Sequence, residues 1–181
     1  LPVHCPSLSE LAAGDPRYPA LLSALETALD SIPGPLHLCG LSLGGVLAMD
    51  YALRHPERVA SLVLCGTPLT MPRNLLRLQD FLFRLMPERA FAGSGFSREA
   101  MRQLAGSMAE LDLRPRLPEL GCPVLVLCGS KDRANRKAAR ELAEQLPQAR
   151  LHWIAGAGHE ANLDSPEVMA ELLRGFYQSL S

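Results

Sequence analysis

A chain of 181 residues, 48% hydrophobic and 20% charged, is long enough to bury the core of one domain. Its 18 basic and 19 acidic side chains nearly cancel, so it lacks the basic surplus that a nucleic-acid or anionic-membrane partner requires. The apolar fraction excludes a disordered chain, and no apolar run approaches the ~18 residues of a membrane-spanning helix. A small molecule is therefore the expected partner, and the chemistry gives no reading of oligomeric state.

In chain order, short β-like runs alternate with helical patterns. The start, Leu1-Pro2-Val3-His4-Cys5, has no Met, no basic stretch and no apolar leader, and Val3 to Cys5 is a weak strand candidate. Tyr18 to Ile32 sets Leu21, Leu22, Leu25, Ala28 and Leu29 on one helical stripe. Leu36 to Cys39 reads as a strand, and Gly44 to Arg54 as the helix after it, stopped by Pro56. Strands follow at Ala60 to Cys65, Pro123 to Cys128 and Arg150 to Ile154. The middle two are apolar nearly throughout, as parallel strands covered on both faces are. Lys137 to Leu146 repeats apolar residues every four positions. Ser165-Pro166-Glu167 opens the last helix with a capping residue, a proline and an acid. The fold class is α/β, a mostly parallel sheet with flanking helices.

Residues 70–117 break the alternation with two helical stretches, Arg73 to Met86 and Ser97 to Leu111, around the loop 90–96. So long an insertion reads as a small helical lid on a core formed by 1–69 and 118–181. It is rich in large apolar side chains, including Met71, Leu75, Leu78, Phe81, Phe91 and Phe96. Most belong to the insertion's own interior; Phe81, Phe91 and Phe96 are the candidates to line a substrate pocket. Arg73, Arg77, Arg84 and Arg89 are close by and read as solvated helix faces.

The five cysteines form no CxxC pair and no metal-finger spacing. Three recur as Leu38-Cys39-Gly40, Leu64-Cys65-Gly66 and Leu127-Cys128-Gly129, each at the end of an apolar run. They read as buried thiols in a reducing, cytoplasmic compartment, with no metal and no cofactor expected.

Gly40-Leu41-Ser42-Leu43-Gly44 lies directly after a strand and before a helix. A turn this sharp strains the serine backbone and lifts its hydroxyl off the sheet, and flanking glycines give the turn room. A serine nucleophile needs a base, and the base an orienting acid. His159, in Gly156-Ala157-Gly158-His159-Glu160, follows the last strand, and Asp132 follows the strand ending at Cys128. All three sit beyond strand carboxyl ends, the ligand-binding rim of open parallel sheets, in the chain order Ser, Asp, His. Asp164 is a rival acid, better suited to capping a helix, and Asp132 has the same bland alternative. His4, His37, His55 and His152 are rival bases; all but His4 fall in structural positions.

These segments, with Val63-Leu64-Cys65-Gly66-Thr67-Pro68, resemble the carboxyl-terminal two-thirds of an α/β-hydrolase-fold serine hydrolase, from about Pro2 to Ser181. The resemblance implies Ser42 as nucleophile, His159 as general base and Asp132 as the acid that holds the imidazole. The backbone N–H of Leu43 becomes one oxyanion donor. The implied activity is hydrolysis of a small, partly apolar carboxylic ester through an acyl-enzyme. The family's first three strands and its His-Gly oxyanion loop have no match here, which implies weak activity from these 181 residues alone. The alternative is a non-catalytic α/β-hydrolase-like binding module or a truncated product lacking half its oxyanion hole.

Overall fold

The computed structural model describes residues 3–71 and 73–180, with the side chains of 73–75, 77, 78, 92 and 94 left aside. Leu75, Leu78, Arg73 and Arg77, named above for their side chains, thus lie outside the described residues. The chain divides into two compact units, 34–69 with 113–181 and 1–33 with 70–112.

The first unit is a four-stranded parallel sheet in the order β1-β2-β3-β4, from β1 (Leu36–Leu41), β2 (Val59–Cys65), β3 (Val124–Gly129) and β4 (Ala149–Ile154). Strand order follows chain order, and among the described residues β1 pairs with β2 alone. The central β2 and β3 have no exposed residue, because both their faces carry apolar side chains. On one face Val63, Cys65, Leu125 and Leu127 join Ile154, Met169 and Phe176 in a core, covered by α8 (Pro166–Gln178). On the other, Leu62, Leu64, Val124 and Val126 are equally buried. α3 (Leu43–Arg54) packs on β1 and β2, α6 (Arg136–Gln145) on β3 and β4, and the short α7 (Ala161–Asp164) on α8.

The second unit is helical: α1 (Leu8–Leu11), α2 (Tyr18–Asp30), α4 (Arg73–Leu85) and α5 (Arg98–Ser107). Ser7 caps α1 by accepting the Glu10 N–H, and Ser97 caps α5 by accepting that of Ala100. The two chain segments are joined inside this unit. Tyr18 N–H donates to Ser107 Oγ at 2.8 Å, and a Cβ on Gly95 would strike the Ser9 side chain. Arg102 ties α5 to Asp80 of α4 at 2.6 Å. Phe91 meets Phe83 edge to face.

Two expectations are corrected. Val3 to Cys5 forms no strand: a three-residue run between Pro2 and Pro6, with no strand pairing it among the described residues, has little to hold it extended. Helix α8 does start at Pro166, yet the Ser165 hydroxyl makes no capping bond. Ser165 stands at φ −150° and ψ +61°, outside the extended backbone from which Ser7 and Ser97 cap their helices. No helix among the described residues is long and apolar enough to cross a membrane.

Candidate active site

Ser42 has φ +52° and ψ −116°, and it is the one non-glycine residue of positive φ among the described residues. Such a backbone costs about 1–3 kcal/mol and persists only where the surroundings enforce it. They do so here from both sides. Ser42 N–H donates to the Cys65 carbonyl at 2.8 Å, tying the turn to β2. Its own carbonyl accepts from Gly45 and Val46 N–H, starting α3. The N–H of Leu43 is left with no partner among the described residues, at the positive end of the helix.

The motif glycines divide the work unequally. A Cβ on Gly40 would overlap the backbone of Gly44 and Gly45, and one on Gly45 would overlap the Thr67 side chain. Gly44 faces open space. The steric demand therefore falls on Gly40 and Gly45, while Gly44, the second glycine of the motif, meets none. Gly40→Ala is expected to destabilise the fold by about 1–3 kcal/mol, since only backbone can yield. Gly44→Ala is expected to be neutral or to stabilise by up to about 1 kcal/mol, from helix propensity. Denaturant midpoints of the two variants check the contrast.

Asp132 and His159 meet. His159 Nδ1 lies 2.8 Å from Asp132 Oδ2. Asn135 adds a second donor, its Nδ2 at 3.1 and 2.9 Å from the two Asp132 oxygens, and its backbone N–H reaches Oδ1 at 3.4 Å. Asn135 Nδ2 and His159 Nδ1 are 3.2 Å apart because both donate to the same carboxylate oxygen. Asp132 thus turns its loop into α6 and also holds the imidazole. Its side chain is 4% exposed, that of His159 43%: a buried acid presents a ring at the surface of the site.

The loops that carry this pair are laced together. Ser130 N–H donates to the Ile154 carbonyl, Lys131 N–H to that of Ala157, and Gly156 N–H to Ser130 Oγ. Gly129 can only be glycine, since a Cβ there would overlap the Ala157 and Gly158 backbone. Asp164 accepts the Gly158 N–H at 2.6 Å; it anchors the turn before His159 and does not touch the ring. The other histidines stay apart: the described partners of the Asp132 carboxylate are His159 and Asn135, and His37 bonds Ser61.

Gly66 connects the serine to this pair. It follows Cys65, which holds the Ser42 N–H, and its N–H donates to Leu127. At φ +53°, a Cβ there would stand 3.1 Å from both Asp132 Oδ2 and His159 Nδ1. Phe91 and Phe96 are buried within the helical unit and Phe81 is exposed on α4; none belongs to the unit that holds Ser42, Asp132 and His159.

Burial pushes the Asp132 carboxyl up, but the bonds from His159 and Asn135, with the charge of His159, outweigh it. The group stays ionised below its ordinary 3.8. A lowered folded pKa gives stability that is complete above the unfolded value and vanishes as pH falls through the folded one. The melting temperature of the parent should therefore exceed that of Asp132→Asn at neutral pH, and the gap should close below about pH 4.

Of the three Leu-Cys-Gly thiols expected to be buried, Cys65 and Cys128 are, while Cys39 is exposed on the edge strand β1. Burial, followed by the nearby Cys39, Cys128 and Asp132, pushes Cys65 up to about 12. Burial and Asp132 push Cys128 up to about 11, with Arg136 and Arg140 pulling back. Iodoacetamide at pH 8 is expected to alkylate the exposed Cys5 and Cys39 in the native protein, and Cys65 and Cys128 only after unfolding. Mass spectrometry of the two digests reads this out. Among the described residues no group of three or more His, Cys, Asp or Glu is placed to hold a metal.

A doubly covered parallel sheet with a strained serine between strand and helix, and an Asp–His pair on the next loops of the rim, defines an α/β enzyme class. The model of the alpha/beta hydrolase family matches residues 1–172, and the chain belongs to that family. A pimeloyl-[acyl-carrier protein] methyl ester esterase from Aromatoleum aromaticum is 30% identical, over 96% of this chain and 86% of its own length. One from Aeromonas hydrophila is also 30% identical, over 91% and 78%. Among solved structures, the enol-lactonase of Burkholderia xenovorans superposes with a TM-score of 0.79 at 21% identity, covering 90% of this chain and 73% of that one. An esterase from Exiguobacterium antarcticum gives 0.78 at 20%, covering 90% and 74%. At such identities the two structures speak to the fold alone.

Proposed function

We propose that the protein is a cytoplasmic serine hydrolase that cleaves small, partly apolar carboxylic esters through an acyl-enzyme. The observation that carries this is the Asp132–His159 contact at 2.8 Å against Gly66, the residue after the carbonyl that fixes Ser42. The curated relatives named as methyl ester esterases support the ester.

In this reading ionised Asp132 accepts the Nδ1–H of His159 and so leaves Nε2 with its lone pair. Nε2 takes the Ser42 proton as Oγ attacks the ester carbonyl. The Leu43 N–H meets the oxyanion that forms. Collapse breaks the bond to the alcohol, which leaves with the proton from Nε2, and Ser42 keeps the acyl group. Water then repeats the sequence: His159 takes its proton, the acid departs, and Ser42 Oγ recovers a proton.

The test is hydrolysis of p-nitrophenyl acetate, butyrate and octanoate by the protein as its gene encodes it. The reading expects turnover with a p-nitrophenol burst stoichiometric with enzyme. A rate no higher than that of Ser42→Ala across the series contradicts it.

A further inference from the structure

The chain is nearly neutral overall, but its charge is not evenly spread. Residues 131–140, Lys-Asp-Arg-Ala-Asn-Arg-Lys-Ala-Ala-Arg, hold five cations, and their one carboxylate, Asp132, is buried in the site. The segment carries +4, which leaves −5 on the rest of a chain whose total is −1.

Three features set these cations apart. First, they are unneutralised. Arg17, Arg54, Arg84, Arg98, Arg102 and Arg116 each pair with a carboxylate, whereas Lys131, Arg133, Arg136, Lys137 and Arg140 form no ion pair among the described residues; Arg89, Arg150 and Arg174 also lack one but stand singly, so the distinction is five unpaired cations within ten residues. Second, they oppose their own helix. Arg136, Lys137 and Arg140 occupy the amino-terminal half of α6 and Glu141 and Glu144 the other half, against the helix dipole. This placement is a local cost that carboxylates of a partner would relieve. Third, two of them share a platform. The Arg136 and Arg140 guanidinium carbons sit 5.7 and 5.5 Å from the ring centroid of Trp153, which is 39% exposed. The ring holds two like charges side by side with nothing to neutralise them.

We propose that residues 131–140 of this face, with Trp153, form a docking surface for an acidic protein partner. Trp and Arg are the side chains that anchor protein interfaces. A long polyanion such as nucleic acid would extend past the patch onto a surface of net charge −5 and be repelled. A compact acidic protein surface meets only the patch. Trp153 is the next-to-last residue of β4, and α6 begins four residues after Asp132. A partner bound here therefore docks at the carboxyl rim of the sheet, beside the loops of Asp132 and His159. The surface does not depend on the ester-hydrolase reading.

Trp153 is the one tryptophan of the chain, so its emission reports on the patch itself. The experiment titrates the protein with octaglutamate, following Trp153 emission and, in parallel, the anisotropy of a labelled octaglutamate. Saturable binding is expected, weakening from about 50 to 500 mM salt as screening shortens. Arg136→Gln with Arg140→Gln should weaken it at least about tenfold. Lys131→Gln with Lys137→Gln, which leaves the ring's surroundings intact, should weaken it by a smaller factor, with circular dichroism verifying both folds. No saturable binding, equal affinity in both variants, or tighter binding of duplex DNA or phosphatidylglycerol vesicles than of octaglutamate would overturn the proposal.

Discussion

Replacing Ser42 by Ala is expected to lower kcat/KM for p-nitrophenyl butyrate by roughly 10⁴–10⁶-fold, the range found when a triad nucleophile is removed. The fold should survive. The strain at φ +52° is a property of the backbone, which Ala shares, and the enforcing bonds from Cys65, Gly45 and Val46 are all main-chain. The melting temperature therefore stays near the parent's while activity disappears. A variant that keeps more than a tenth of parental activity would place the nucleophile elsewhere.

Asp132→Asn should cost about 10⁴-fold, and Asn135 makes the direction of the loss specific. Asn135 Nδ2 donates to both Asp132 oxygens and does not choose between them, but the Asn135 backbone N–H reaches Oδ1 alone. An amide at 132 must turn its oxygen toward that donor, which leaves its NH₂ facing His159 Nδ1. The imidazole is then driven to the tautomer with hydrogen on Nε2, which has no lone pair for the Ser42 proton. Steady-state kinetics check the loss, and the ¹⁵N shifts of the His159 ring check the tautomer, which simple loss of charge would leave unchanged.

The strands were legible because the two central ones are apolar nearly throughout, and the elbow because Gly-x-Ser-x-Gly stood between a strand-like run and a helical stripe. The Leu-Cys-Gly recurrence was legible too, but its weight falls on the glycines and not on the thiols. Gly40, Gly66 and Gly129 stand at the carboxyl ends of three neighbouring strands. A Cβ on each would crowd a different part of the site: the elbow, the Asp132–His159 pair and the turn before His159. That need for bare backbone is created by segments far away in the chain, so spacing alone does not reveal it. Asn135 was hidden for the same reason: a lone amide in a polar loop carries no periodicity. The grouping of residues 1–33 with 70–112 rests on contacts such as Tyr18 to Ser107, between a backbone N–H and a hydroxyl 89 residues on, which leave no pattern in either segment.

The account turns on Ser42 as an activated nucleophile, and covalent labelling asks that directly. The protein as its gene encodes it is treated with a fluorophosphonate probe, digested and sequenced by tandem mass spectrometry. The account predicts one modified serine, Ser42, with labelling lost in Ser42→Ala and strongly slowed in His159→Ala. A folded protein that takes up no probe, or carries it on another serine, would contradict it.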